Sequence, residues 1–165
     1  MQYGSPLEMK RVAQVTEQLI EDLRRSRGSH KEHQIHPRVL VIEDDLNDII
    51  LIKRVLDVFG CETTVATSSA EALSIVKDSI CPTQPDFDIV FLDLGLPGVG
   101  GAEVLRCIRS LNKSLPVVVV TGDANLAARE DIAQAGYVAM VNKPLNVESA
   151  SEILSKHRIN TEFRP

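Results

Sequence analysis

From Arg38 onward the chain alternates between short apolar runs and stretches with helical spacing. Val39-Leu40-Val41-Ile42, Ile89-Val90-Phe91-Leu92 and Val117-Val118-Val119-Val120 have no polar interruption, the pattern of strands buried on both faces. Glu62 to Ala66 and Tyr137 to Val141 predict two further strands. Residues 46–59 predict a helix with Ile49, Ile52, Leu56 and Phe59 on one side. Ser68 with Glu71 is a capping-box signature and opens a helix to about Ile80. Three more helices are predicted over Ala102 to Leu111, over Asn125 to Ala135 with Gly136 as its stop, and from Asn146 to about His157. Residues 81–86 (CPTQPD) and 94–100 (LGLPGVG) are Pro- and Gly-punctuated loops. Strict alternation of five β–α units predicts a parallel sheet with helices on both faces.

The first 37 residues follow a different pattern. Ser5-Pro6-Leu7-Glu8 is a second capping box, with Pro at the first helical position. Met9, Val12, Thr16, Leu19 and Leu23 follow at spacings of 3, 4, 3 and 4, a two-heptad stripe widened by Val15 and Ile20. Arg24, Arg25 and Arg27 suit the C-terminal end of that helix, and Gly28 stops it. The polar stretch 29–37 predicts a linker, and His30, His33 and His36 within it read as linker residues in preference to metal ligands. The apolar stripe has to be buried, against its own domain, against a second copy or within a longer signalling helix, and dimerisation is the expectation. The predicted layout is an N-terminal amphipathic helix and linker over 1–37, one domain over 38–158, and a tail over 159–165.

Composition narrows the function. At 165 residues with 44% hydrophobic and 25% charged side chains, the chain can bury a core without disulfides or metals. Cys61, Cys81 and Cys107 are odd in number and lack metal-ligand spacing, so they predict reduced thiols in a cytoplasmic protein. No apolar run is long enough to cross a membrane, and residues 1–8 do not resemble a secretion signal. A net charge of −5 and only 4% aromatics argue against direct binding of nucleic acid. Residues 1–37 carry +1 and residues 38–165 carry −6, so the acidity lies in the larger part.

Four features sit just past the strand ends: Glu43-Asp44-Asp45, Asp93, Thr121, and Lys143-Pro144. Ligands of open parallel sheets bind at that edge, where the strand order reverses. With order 2-1-3-4-5, Glu43, Asp44 and Asp93 converge there. Carboxylates at close range repel unless a positive charge intervenes, and a hard divalent cation such as Mg²⁺ supplies one. Asp45 reads as a helix N-cap instead of a ligand. Lys143 adds a movable positive charge and Thr121 a hydroxyl. Together these are the parts needed to place a phosphoryl group on a carboxylate.

At this point the chain resembles the receiver domains of two-component response regulators, the family of the chemotaxis response regulator. The resemblance covers about residues 38–158 and rests on VLVIEDD, DIVFLDLGLPGVGG, PVVVVTG and Lys143-Pro144, in order. It implies a flavodoxin-like fold, Asp93 as phosphoacceptor, and Thr121 and Lys143 as phosphoryl contacts. It implies Mg²⁺ held by Asp44 directly, by Glu43 largely through water, by Asp93, and by the backbone carbonyl of Gly95. It also implies a cis peptide before Pro144. The phosphoryl donor would be a phosphohistidine on a histidine kinase or phosphotransfer protein. Such a protein catalyses its own aspartyl phosphorylation and dephosphorylation. The run EDDLNDIILIKRVL is similar to bacterial single-domain receivers that serve phytochrome-type kinases.

Three positions depart from the family pattern. Met140 stands where receivers carry Tyr or Phe, and Tyr137 lies three residues earlier. The stretch from Asp44 to Asp93 is longer than usual, with the excess placed in CPTQPD. Gly95 and Asp123 occupy positions that tune loss of the phosphoryl group in this family. About seven residues follow the last predicted helix, which predicts output through an unidentified protein partner or a relay. A homodimer through the N-terminal helix or the face of the fourth helix and fifth strand is a further expectation. The rival readings are a phosphorylation-independent pseudo-receiver, a haloacid-dehalogenase-type phosphatase and a flavodoxin. The second lacks its D-x-D pattern, and the third would place FMN beside an acidic turn. Arg106 and Arg109 read as one exposed helix face, Asp86 and Asp88 as surface residues, and Gly98, Gly100 and Gly101 as a turn.

Overall fold

The uninterrupted apolar runs form the centre of the sheet. The computed structural model describes residues 36–79, 86–123, 130–157 and 159. Its strands are β1 (Arg38–Ile42), β2 (Glu62–Ala66), β3 (Ile89–Asp93), β4 (Val117–Thr121) and β5 (Ala139–Asn142). All pair in parallel, in the order β2-β1-β3-β4-β5. Every residue of β3 and β4 is buried, whereas the edge strands β2 and β5 are mostly half-buried. Burial on both faces explains why the central strands carry no alternation. Order reverses between β1 and β3, so the C-terminal ends of these two strands bound the crevice at the top of the sheet.

The helices are α1 (Leu46–Val58), α2 (Ser69–Ser79), α3 (Gly101–Leu111), α4 (Glu130–Ala133) and α5 (Val147–Lys156). Asp45 caps α1, accepting hydrogen bonds from the backbone N–H groups of Asn47 and Asp48. Asn146 caps α5 in the same way through Ser149 N–H. At α2, Ser68 Oγ accepts from Glu71 N–H, but the Glu71 carboxylate turns to the backbone and hydroxyl of Thr67 in place of the Ser68 N–H that a capping box would use. One apolar cluster joins Leu40, Ile42, Val90 and Leu92 of the sheet to Ala72 and Val76 of α2 and to Val104, Leu105 and Ile108 of α3. Phe59, Ile52 and Leu56 of the α1 region are also buried.

Several boundaries differ from the sequence expectation. Strand β5 begins at Ala139, two residues later than expected, because Tyr137 packs against the core cluster before the ladder starts. The helix expected over Asn125 to Ala135 is described from Glu130 to Ala133 only. The expected N-terminal helix, His30, His33, Cys81, most of the CPTQPD loop and the tail beyond Ile159 lie outside the described residues. His36 donates through Nδ1 to the Gly60 carbonyl. Cys61 and Cys107 are free thiols, and burial pushes the Cys61 thiol up to about 12. No described helix is long and apolar enough to cross a membrane.

Arg109 is a correction. Only Arg106 sits on an exposed face, paired with Glu103. Arg109 instead folds back, donating to the carbonyls of Gly136, Asn112 and Leu115. It thereby ties the end of α3 to the segments that lead into β4 and β5. Gly136 adopts φ +86, and its missing Cβ leaves room for the Arg109 side chain at 3.4 Å. Arg109→Ala is expected to cost about 2 kcal/mol in urea unfolding, because the carbonyls lose a charged, forked donor. Arg109→Lys should recover less than half, since a point charge cannot span the same carbonyls.

Candidate functional site

The register places the site. Val41 pairs with Phe91 and Ile42 with Leu92, so Glu43 and Asp93 emerge side by side at the ends of β1 and β3. Asp93 pairs with Val120, which puts Thr121 one position further along β4, and Thr121 pairs with Asn142 just before Lys143. Carboxylate oxygens of Glu43, Asp44 and Asp93 all lie within 4.8 Å of one another. Glu43 is only 1% exposed, Asp93 is buried and Asp44 is exposed.

Lys143 is the counter-charge. Its Nζ lies 2.7 Å from Glu43 Oε2, 2.8 Å from Asp48 Oδ2 and 3.0 Å from Asp93 Oδ2. Burial by itself would lower the lysine pKa, but hydrogen bonds to Asp48, Glu43 and Asp93 outweigh it and hold the ammonium above the usual lysine value. Burial raises the Glu43 pKa, and its contacts with Lys143 and the Asp45 N–H only partly offset this, while the neighbouring Asp93 charge adds to it. The peptide bond between Lys143 and Pro144 is cis.

Backbone contacts hold the remaining groups. Gly95 N–H donates to Asp93 Oδ1 at 2.9 Å. Thr121 Oγ1 accepts from Asp123 N–H, and Lys143 N–H donates to the Thr121 carbonyl. The loop after Asp93 is tethered by the buried Ser69 hydroxyl, which donates to the Val99 carbonyl. Gly98 takes φ +78 in the bend before α3, Gly100 is the N-cap of that helix with no side-chain cap, and Gly101 is its first residue. Met140 packs against the core cluster from β5, as does Tyr137 from the preceding turn.

Thus Glu43, Asp44, Asp93 and Lys143 are brought together, with Thr121 on the adjoining strand end. Asp48 was absent from the sequence expectation. Its position, three residues after the N-cap, gives it an ordinary role as a first-turn acid, and nothing local marks its partner 95 residues away. The donor set is all oxygen, carries several negative charges and is partly open to solvent. That chemistry fits a hard divalent cation, and Mg²⁺ in particular.

Comparison with known proteins agrees with this geometry. A family model described as "Response regulator receiver domain" matches residues 39–155. Transcription factor SKN7 of Candida albicans is 30% identical over 122 residues, covering 74% of this chain and 21% of that protein. Transcriptional regulatory protein ZraR of Salmonella typhimurium is 25% identical over 74% of this chain and 26% of its own length. The chain therefore spans about a quarter or less of these relatives. A CheY-like receiver from Methanospirillum hungatei superposes with TM-score 0.64 at 26% identity, covering 74% of this chain and 97% of that one. TrrA of Thermotoga maritima, solved in complex with Mg(2+)-BeF, gives TM-score 0.64 at 27% identity over 73% and 98% of the two chains. The carboxylates and lysine at the reversal point, the strand order and the family match all converge: the chain belongs to the response regulator receiver family.

Proposed function

We propose that this receiver accepts a phosphoryl group on Asp93 from a phosphohistidine of a histidine kinase or phosphotransfer protein. The observation that carries the reading is a buried Asp93 carboxylate with Lys143 Nζ at 3.0 Å and Glu43 and Asp44 oxygens beside it. A carboxylate oxygen of Asp93 attacks phosphorus, the P–O bond forms as the P–N bond breaks, and the departing electron pair stays on the imidazole nitrogen, which takes up a proton. Mg²⁺ bound at Glu43, Asp44, Asp93 and the Gly95 carbonyl would neutralise charge on the phosphoryl oxygens. Lys143 contributes a second positive charge, and Thr121 a hydroxyl donor. Gly95 N–H already holds the other carboxylate oxygen of Asp93, so the nucleophile is oriented before a donor arrives.

Output through protein contact follows as the second part of the proposal. Movement of Thr121 and Lys143 toward a phosphoryl group would bias the face of α4 and β5 by population shift. Met140 in place of an aromatic residue leaves that coupling to repacking of a flexible side chain. A cytoplasmic location, the division into helix, receiver and tail, and homodimerisation belong to the same proposal. Hybrid signal transduction histidine kinase L of Dictyostelium discoideum, 30% identical over 81% of this chain and 8% of that protein, is consistent with a histidine kinase as donor.

The test is intact mass after incubation with acetyl phosphate, with and without Mg²⁺, on the wild type and Asp93→Asn. One added phosphoryl group is expected on the wild type only, and only with Mg²⁺. An unmodified wild type that also fails to bind beryllofluoride would overturn the reading and leave a phosphorylation-independent interaction module.

A further inference from the structure

The Lys143 ammonium donates hydrogen bonds to Asp48 and Asp93 and forms a close ion pair with Glu43 Oε2 at 2.7 Å, so three carboxylates share its charge. Two of these, Glu43 and Asp93, belong to the acidic trio suited to a cation. The third, Asp48, stands apart from that trio on the first turn of α1, with its side chain 33% exposed. A divalent cation and an ammonium would compete for the carboxylates of Glu43 and Asp93, and their like charges repel. Asp48 is the one partner of Lys143 among the described residues that neither a cation nor a phosphoryl group on Asp93 would claim.

We propose that Asp48 is a positioning residue that keeps the Lys143 ammonium docked at the pocket once a cation has drawn Glu43 and Asp93 away from it. Asp48 does not touch the reacting atoms; it acts through Lys143. Its backbone is fixed at the start of the helix that Asp45 caps, because Asp48 N–H donates to Asp45 Oδ1. The distance of 2.8 Å therefore pairs the lysine tip with an acceptor carried on a capped helix. In the cation-free protein three carboxylates share the task, and Asp48 is redundant there. This inference rests on the cation reading given under the proposed function.

The test follows the side-chain NH₃⁺ resonance of Lys143 in ¹H–¹⁵N spectra of the full chain, assigned with Lys143→Arg. In wild type the resonance is expected to persist when Mg²⁺ is added. In Asp48→Asn it should persist without Mg²⁺ and be lost to exchange with Mg²⁺, a conditional loss that a merely structural role would not produce. Phosphorylation by phosphoramidate should fall about tenfold in Asp48→Asn, yet less than about twofold when the same change is made in Lys143→Ala. Asp57→Asn, which removes an equal charge from the exposed far end of α1, should leave the rate unchanged. Survival of the resonance in Asp48→Asn with Mg²⁺, or an undiminished effect in the Lys143→Ala background, would overturn the proposal. If wild type accepts no phosphoryl group, the reading of Asp93 fails while the resonance still decides the role of Asp48. If Mg²⁺ perturbs no signal near Glu43, Asp44 or Asp93, the cation reading and this inference fall together.

Discussion

Gly101→Ala is expected to lower stability by about 2–3 kcal/mol and to slow phosphorylation of Asp93 by about 10²-fold. A Cβ at Gly101 would run into the carbonyl oxygen of Asp93, well inside contact distance, and would meet Leu94 Cα at 2.7 Å. Both obstacles are backbone, so no side chain can swing aside. Alanine would otherwise favour a helix over glycine by about 1 kcal/mol, and the steric term overrides that gain. The shift falls on the residue that carries the proposed nucleophile, so chemistry and stability should suffer together. Gly100 makes the comparison. It has open space around its Cβ position and extended backbone as the N-cap of α3, which has no side-chain cap. Gly100→Ser should therefore gain about half a kcal/mol and leave phosphorylation intact. Urea unfolding and acetyl phosphate labelling of the two variants read both effects. Equal behaviour of the two would show that close approach at Gly101 is not what ties α3 to Asp93.

Lys143→Ala is expected to cost about 3 kcal/mol at neutral pH without added cation. The loss arises because Glu43, almost fully buried, and Asp93 remain side by side with no ammonium between them. The sign with pH follows from the two shifts. Lys143 is raised above its ordinary 10.5, so its contribution is complete below that value and disappears only as the pH climbs through the folded value. Glu43 is raised above its ordinary 4.5, so the fold retains its proton more readily than the unfolded chain does. The deficit of the variant should therefore shrink as the pH falls toward 4.5, where a neutral Glu43 needs no partner. Mg²⁺ at neutral pH should restore part of the loss by supplying positive charge to the same oxygens. Unfolding curves at pH 7 and pH 5, with and without Mg²⁺, measure all of this. A deficit that does not change with pH would point to lost packing of the lysine stem instead.

The sheet was legible in the sequence because its central strands are buried on both faces. Val39 to Ile42, Ile89 to Leu92 and Val117 to Val120 needed no polar positions, and that signal is hard to mistake for a helix of ordinary length. Edges were less legible. Tyr137 is apolar enough to extend β5, yet it packs inward before the ladder begins. The cap at Asp45 was readable, since an Asp directly before an apolar-periodic run has few other uses. Glu43, Asp44, Asp93 and Lys143 were readable as a group because all lie at or just past strand ends.

By itself the sequence determined the five strands, their parallel alternation with helices and the identity of the groups at one end of the sheet. Burial pattern, caps and turns act over a few residues, and strand ends in a doubly wound sheet share one edge. Only the tertiary structure decided which charges share an ammonium and which carbonyls an arginine reaches. Asp48 and Arg109 look like surface residues along their own helices. Asp48 acquires Lys143 across 95 positions, and Arg109 acquires Gly136 across 27. Such pairings depend on how strands are ordered through space, and no local pattern of hydrophobic and polar residues encodes the distance between two charges brought together by folding.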